Sequence, residues 1–163
     1  MATAARGKLL DVLKDFDTVM LFTRTAEGNV RGRPMAIAEI DRDGTLYLVT
    51  SIDSDKAAEL IADARVALGM QSKTKYASLS GIAILNTERA LIDRLWKERW
   101  RVWFPEGKSS PDLSVIEVHP VEGEYWDQSG FKGIKLAIEA AKAYVTRQRP
   151  DAQGAAANTR TRL

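Results

Sequence analysis

Between Thr18 and Ser51 the chain abandons helical spacing for extended, β-branched runs and turns back on itself twice. The run "TVMLFTRT" (Thr18 to Thr25) ends at the turn residues "AEGN", "VRGRPMAIAEI" (Val30 to Ile40) returns, and Asp41-Arg42-Asp43-Gly44 leads into "TLYLVTS". This predicts three strands in a meander. Farther along, "RVALGMQ" and "YASLSGIAILN" (Tyr76 to Asn86) read as a fourth and a fifth strand, with Ser80-Gly81 as a bulge or close-approach point. The runs "LSVIEVHP" and "VEGEYWD" read as the last strands.

Helical spacing frames these strands. Leu9, Leu10, Leu13 and Phe16 predict a short amphipathic helix at the start. Asp53 or Ser54 is placed to cap a second, with Ala57, Ala58, Leu60, Ile61 and Ala64 as its apolar stripe. Thr87 is placed to cap a third, "ERALIDRLWKERW", and a fourth is expected from Gly133 to Thr146. Six or seven short strands with helices inserted at intervals suit a small barrel better than a parallel doubly wound sheet. One domain over residues 1–146 is expected, followed by a tail from Arg147 to Leu163 that lacks apolar anchors and is expected to be mobile.

Composition removes several chemistries. With no cysteine, disulfides, thiolate catalysis and sulfur-ligated metals are excluded. His119 is the only histidine, which is poor material for a zinc site or a Ser-His-Asp arrangement. A net charge of +2, from 24 basic and 22 acidic residues, provides no broad footprint for nucleic acid or anionic membrane. No apolar run approaches the roughly 20 residues of a membrane span, and the N-terminus lacks a secretory apolar region, so a cytoplasmic location is the default expectation.

Two short segments carry candidate binding chemistry. In "VTSIDSDK", Thr50, Ser51, Ser54 and Lys56 stand where a helix begins and presents unpaired N–H groups, which suits a phosphate. Asp53 and Asp55 suit the same place, so residue types alone leave a phosphate cradle and an acid-capped helix both open. In "RGRPMAIAEI", Arg31 and Arg33 share one strand face, either holding an anion or lying solvated. Pro34 removes a ladder donor there, which suggests an edge, or backbone that serves something other than pairing. Trp96, Trp100 and Trp103 are spaced for one helical face, as core, dimer contact or wall over a planar ligand, and of Tyr125 and Trp126 one must point away from the core.

Taken together, "RPMAIA" (Arg33 to Ala38), "VTSIDSDK" (Val49 to Lys56) and "WFPEGKSSPDLSVIEVHPVEGEYWD" resemble the pyridoxamine 5′-phosphate oxidase-like flavin-binding split-barrel superfamily, in its general stress protein 26 branch. The resemblance covers nearly all of residues 5–146 and implies a six- to seven-stranded antiparallel split β-barrel that binds FMN, with FAD as an alternative. It implies that Arg33, Ser54 and Lys56 face the phosphate, that Pro34, Met35 and Ala36 run beside the isoalloxazine ring, and that Val49, Thr50 and Ser51 contact the ring edge or ribityl chain. Gln71 and Tyr76 are weaker candidates on neighbouring strands. A homodimer with the flavin at its interface is implied too, bringing Trp126, and with it Trp103, toward the partner's flavin.

Departures from the oxidase pattern narrow the expectation. Its substrate-facing lysine is Ala38 here, the arginine of its Ser-Arg-Lys is Asp55, and near the C-terminus "YWDQSGFKGIK" stands in place of an Arg-x-His clamp. Losing those cations removes charge-assisted bonds to pyridoxine phosphate, so true pyridoxamine phosphate oxidase activity is not expected. The leading expectation is a flavoprotein of the general stress type, an FMN-dependent oxidoreductase drawing on NAD(P)H and a small redox partner. The alternatives are a flavin-binding or sequestering protein without turnover, and an F420-dependent reductase using Arg31, Lys73 and Lys75.

Overall fold

In the computed structural model, which describes residues 2–129 and 157–162, the meander forms as its spacing predicts. β1 (Thr18–Arg24), β2 (Val30–Ile40) and β3 (Leu46–Ser51) pair antiparallel in sequence order. β4 (Arg65–Gln71) lies beside β1 and pairs with β5 (Lys75–Asn86). β6 (Leu113–Asp127) pairs with β5 along one edge and with β3 along the other, so six strands close into an antiparallel barrel. Closure leaves those strands few open edges.

Alternation fills the barrel. Register sets Leu21, Leu68 and Leu79 side by side across β1, β4 and β5, and all three are fully buried. Each such leucine contributes about 1.5–3 kcal/mol through the apolar surface it hides. The first helix, α1 (Ala2–Leu13), adds Leu9, Val12 and Leu13 to the same core. A second cluster lies outside the barrel wall, where α3 (Arg89–Leu95) and the segment after it cover Ala38, Leu113 and Val115 with Ile92, Trp100 and Phe104. Among the described residues no helix is long and apolar enough to cross a membrane.

Three expectations about the helices are corrected. "ERALIDRLWKERW" is not one helix: α3 ends at Leu95, Lys97 is extended, and a separate 3-10 turn spans Glu98–Val102. Tertiary contacts override propensity there, since Lys97 Nζ donates to Ala38 O at 2.8 Å and Trp100 is buried edge-on to Trp96 with ring centroids 6.0 Å apart. Nor does Thr87 cap α3, because Glu88 holds the cap position and its N–H donates to Asn86 Oδ1. In the second helix, α2 (Asp55–Ala62), the buried face is Ala57, Glu59 and Leu60, with Ala58 and Ile61 exposed.

The last two expected strands are instead one, β6, with Val121 as an extra residue between Pro120 opposite Gly81 and Glu122 opposite Ser80. Part of the expected mobile tail is also ordered. Residues 157–162 form β7 (Ala157–Arg162), antiparallel to Glu122–Asp127 of β6, an edge that β3 does not reach because its pairing stops at Val118. Main-chain bonding there needs no apolar anchor. The expected helix from Gly133 to Thr146 lies outside the described residues.

Ser80-Gly81 is a close-approach point: a Cβ at Gly81 would stand 2.5 Å from His119 O and 3.0 Å from Pro120 Cα. Both obstacles are backbone. Gly81→Ala should therefore cost about 1–3 kcal/mol of stability through forced shifts in β5 and β6. Urea unfolding checks this; a variant as stable as the native protein would mean that the bulge yields freely.

Candidate functional site

β2 and β3 do not stay together. They pair only from Ile37 opposite Leu48 to Ile40 opposite Leu46, with a register shift at Ala38, while β1 follows β2 back to Val30 and β6 follows β3 out to Ser51. The parted strands open a cavity of about 480 Å³. That volume suits a small organic ligand. Pro34, Met35 and Ala36 line it from β2 and Val49, Thr50 and Ser51 from β3, with Arg33 and Lys56 also on its wall. Pro34 thus lies where β2 has no β3 partner, in keeping with a residue that has no N–H to pair.

The junction before α2 is built from hydroxyls. Ser54 holds the cap position, yet its Oγ donates to Ser51 O at 2.7 Å and lies 3.3 Å from Thr50 Oγ1 instead of capping an amide. Neither acid occupies the cavity. The Asp53 N–H donates to Ser51 Oγ, and the exposed Asp55 carboxylate accepts from Arg31 at 3.4 Å. Lys56 is half-buried, and among the described residues no carboxylate sits within ion-pair distance of its ammonium. Burial, reinforced by the positive charge of Arg33, pulls its pKa below the ordinary lysine value.

Arg33 is committed differently. Its Nη2 donates to Glu59 Oε2 at 2.7 Å, its Nη1 donates to Thr23 Oγ1 at 2.6 Å, and the Thr23 hydroxyl donates to the same Glu59 oxygen at 2.5 Å. Arg31 Nη1 adds an ion pair to Glu59 Oε1 at 3.1 Å. Side-chain exposure is only 9% for Glu59 and 17% for Arg33. Burial pushes the Glu59 carboxyl up, but the Thr23 and Arg33 hydrogen bonds and the charges of Arg33 and Arg31 outweigh it, leaving the pKa below the ordinary range.

Aromatic groups close the far wall. Trp100, Trp103 and Phe104 line the cavity; Trp103 is 67% exposed at its rim, whereas Trp100 is buried with an indole N–H that has no acceptor among the described residues. Asp112 also lines it, accepting from Ser110 Oγ at 2.6 Å, and its pKa is lowered by Ser110 and then Ser51. Gln71, Tyr76 and Trp126 are not in this cavity. They stand in a cross-strand row, Gln71 opposite Tyr76 and Tyr76 opposite Trp126. Gln71 and Tyr76 line a separate hollow of about 450 Å³ with Met20 and Phe22. Tyr125 points into the core and Trp126 away from it.

Thr23, Glu59 and Asp112 are absent from the candidates read in the sequence. Glu59 does carry a signal, being the one acid between Ala57 and Leu60 on a helix face that packs inward, with two arginines on a neighbouring strand to explain it. Thr23 follows from register, since it faces Arg31 and lies diagonal to Arg33 across β1 and β2. Asp112 sits in a turn and offers no periodicity to read.

The sequence matches the family described as "Pyridoxamine 5′-phosphate oxidase like" over residues 4–151. It is 30% identical over 121 residues to general stress protein 26 of Bacillus subtilis (strain 168), covering 71% of this chain and 83% of that protein. A crystal structure assigned as general stress protein 26 from Jannaschia sp. CCS1 superposes with a TM-score of 0.75 at 24% identity, covering 99% of each chain. The general stress FMN/FAD binding protein from Xanthomonas citri superposes with a TM-score of 0.66 at 29% identity, over 78% of this chain and 92% of that one.

Because the folded pKa of Glu59 lies below its ordinary 4.5, the stability it supplies is complete above that pH and is lost as pH falls through the lowered value. Glu59→Gln should lower stability at pH 7 by about 1–3 kcal/mol and flatten the loss seen on acidification below 4.5. Urea midpoints across pH 3–7 measure this, and parallel native and variant profiles would remove Glu59 from the acid response.

Proposed function

The chain belongs to the pyridoxamine 5′-phosphate oxidase-like family, in its general stress protein 26 branch, and on that premise we propose that it binds FMN in the cavity between β2 and β3 as an oxidoreductase cofactor. One observation carries the reading. Two separate segments, Arg33 to Ala36 and Val49 to Ser51, share one cavity with Lys56, a half-buried lysine that no carboxylate neutralises among the described residues. The donor set suits a flavin phosphate, with the Lys56 ammonium for charge and the hydroxyls of Thr50, Ser51 and Ser54 for hydrogen bonds. The orphaned indole N–H of Trp100 is a further donor beside the same wall. The Xanthomonas citri relative, described as FMN/FAD binding, adds support for flavin and keeps FAD as the alternative cofactor.

A flavin held there would supply two-electron redox chemistry, with a nicotinamide cofactor as the reductant and a small molecule as the acceptor. The protein's part is to bind and orient it. Pro34, Met35 and Ala36 provide a backbone edge for the ring, Lys56 and Ser54 hold the phosphate end, and Trp103 shields the rim. In a homodimer, the hollow lined by Met20, Phe22, Gln71 and Tyr76, together with Trp126, would face the partner's flavin. Apolar side chains exposed on the outer strand faces, Met20, Ile82 and Ile84, suit such an interface.

A second reading, flavin binding without turnover, draws on Asp112: it is the only carboxylate lining the cavity among the described residues, and like any ordinary aspartate it is ionised at neutral pH and offers no proton. Anaerobic mixing of the flavin-loaded protein with NADH or NADPH separates the two. Bleaching of the flavin absorbance within seconds is the expected result, and an unchanged oxidised spectrum would establish the binding-only role.

Lys56→Ala should weaken FMN by roughly 10- to 100-fold and leave riboflavin nearly unchanged, since a charge-assisted bond to phosphate is about 1.5–3 kcal/mol. Flavin fluorescence titrations measure both affinities. Equal losses for the two ligands would move the phosphate away from Lys56.

A further inference from the structure

We propose that Glu59 is a positioning residue that competes with a bound phosphate for Arg33, so that Lys56 supplies the unpaired positive charge of the site and sets its selectivity for phosphorylated ligands. The inference rests on the flavin-binding reading and goes beyond it by naming which cation does the work.

Arg33 reaches the cavity wall, yet two of its donors are closed into a ring with Thr23 and Glu59 through contacts of 2.6, 2.7 and 2.5 Å. Both Glu59 oxygens are used, Oε2 by Arg33 and Thr23 and Oε1 by Arg31 at 3.1 Å. A phosphate that drew Arg33 away would leave a carboxylate of 9% exposure with Arg31 as its remaining cation. Taking one of its two cations from a buried carboxylate is costly, which ties Arg33 to Glu59.

Charge bookkeeping leads to the same place. Arg31 and Arg33 are balanced by Asp55 and Glu59, while Lys56, on the first turn of the helix that carries Glu59, is balanced by no ion pair among the described residues. Lys56 is therefore the unpaired cation that the cavity presents to an anion, while Asp112, the carboxylate on the same wall, is held by Ser110 and Ser51. Asp55, the residue before Lys56, lies outside the cavity, with its carboxylate committed to Arg31 at 3.4 Å. Glu59 is thus the control on how much further charge the ligand can recruit.

The test compares FMN and riboflavin affinities by fluorescence titration, because their ratio isolates the phosphate and is insensitive to general damage. Glu59→Gln frees Arg33 and should raise the native FMN-to-riboflavin preference about tenfold, with Thr23→Val shifting it the same way by less. The double variant Arg33→Met with Glu59→Leu removes both charges together and should keep the native ratio. A ratio lowered in the double variant, as Lys56→Ala lowers it, or a ratio unmoved by both Glu59→Gln and Thr23→Val, would overturn the proposal. Should Glu59→Gln fail to fold, Thr23→Val and the double variant still decide. A separate arm uses inorganic phosphate: its stabilisation of the thermal midpoint should be larger in Glu59→Gln than in the native protein. If neither flavin binds, the flavin reading fails while this arm still judges Glu59, and equal phosphate shifts would then reject it.

Discussion

β3 pairs with β6 along its whole length but with β2 along only part of its own. Closing the barrel through β3 and β6 obliges β3 to leave β2 beyond Leu48, and the parting creates the cavity. A gap between strands normally strands backbone donors and acceptors, which is costly when they are hidden from water. Here Pro34 lacks the donor, and the opening admits solvent or a ligand to the rest. The same parting brings Val49 to Ser51 opposite Pro34 to Ala36, so the architecture of closure and the placement of the candidate site are one event.

Around that gap the electrostatics divide into a paired and an unpaired half. In the paired half, Thr23, Arg33 and Glu59 are hidden enough that each depends on the others, and Arg31 joins them from a more exposed position. The low local dielectric strengthens those bonds and makes the loss of any one expensive. The unpaired half is Lys56 with its hydroxyl neighbours. A cation kept half-buried without a carboxylate has a lowered pKa for that reason, and an arriving anion would relieve the same penalty.

The barrel was legible in the sequence because alternation and turn chemistry report directly on a sheet with one buried face, as the pattern of β1 and β4 illustrates. The helix ends were less so. Trp100 leaves helical spacing to fill the cluster against Leu113 and Val115, a demand made by residues far along the chain that no local window contains. Eight of the candidate residues, Arg33 to Ala36, Val49 to Ser51 and Lys56, line one cavity, and Ser54 adjoins it through Thr50. That Arg33 answers to Glu59 could not be read from spacing, since the partner lies on a helix whose rotation is set by packing. Gln71 and Tyr76 are expected on neighbouring strands and lie on β4 and β5, but the separation of their row from the cavity is a property of the closed barrel alone.

The bulge at Val121 makes strand length a matter of parity. Ile116 and Val118 face the core from even positions, whereas beyond the bulge Gly123 and Tyr125 do so from odd ones. The extra residue resets the phase. Loss of one residue at this point would therefore act less like a shortening than like an inversion, sending Tyr125 outward and Trp126 into the core while every bond of the chain stayed intact. Changes of length in β6 should be tolerated in steps of two, so the spacing between His119 and Trp126 carries structural information independent of which residues fill it.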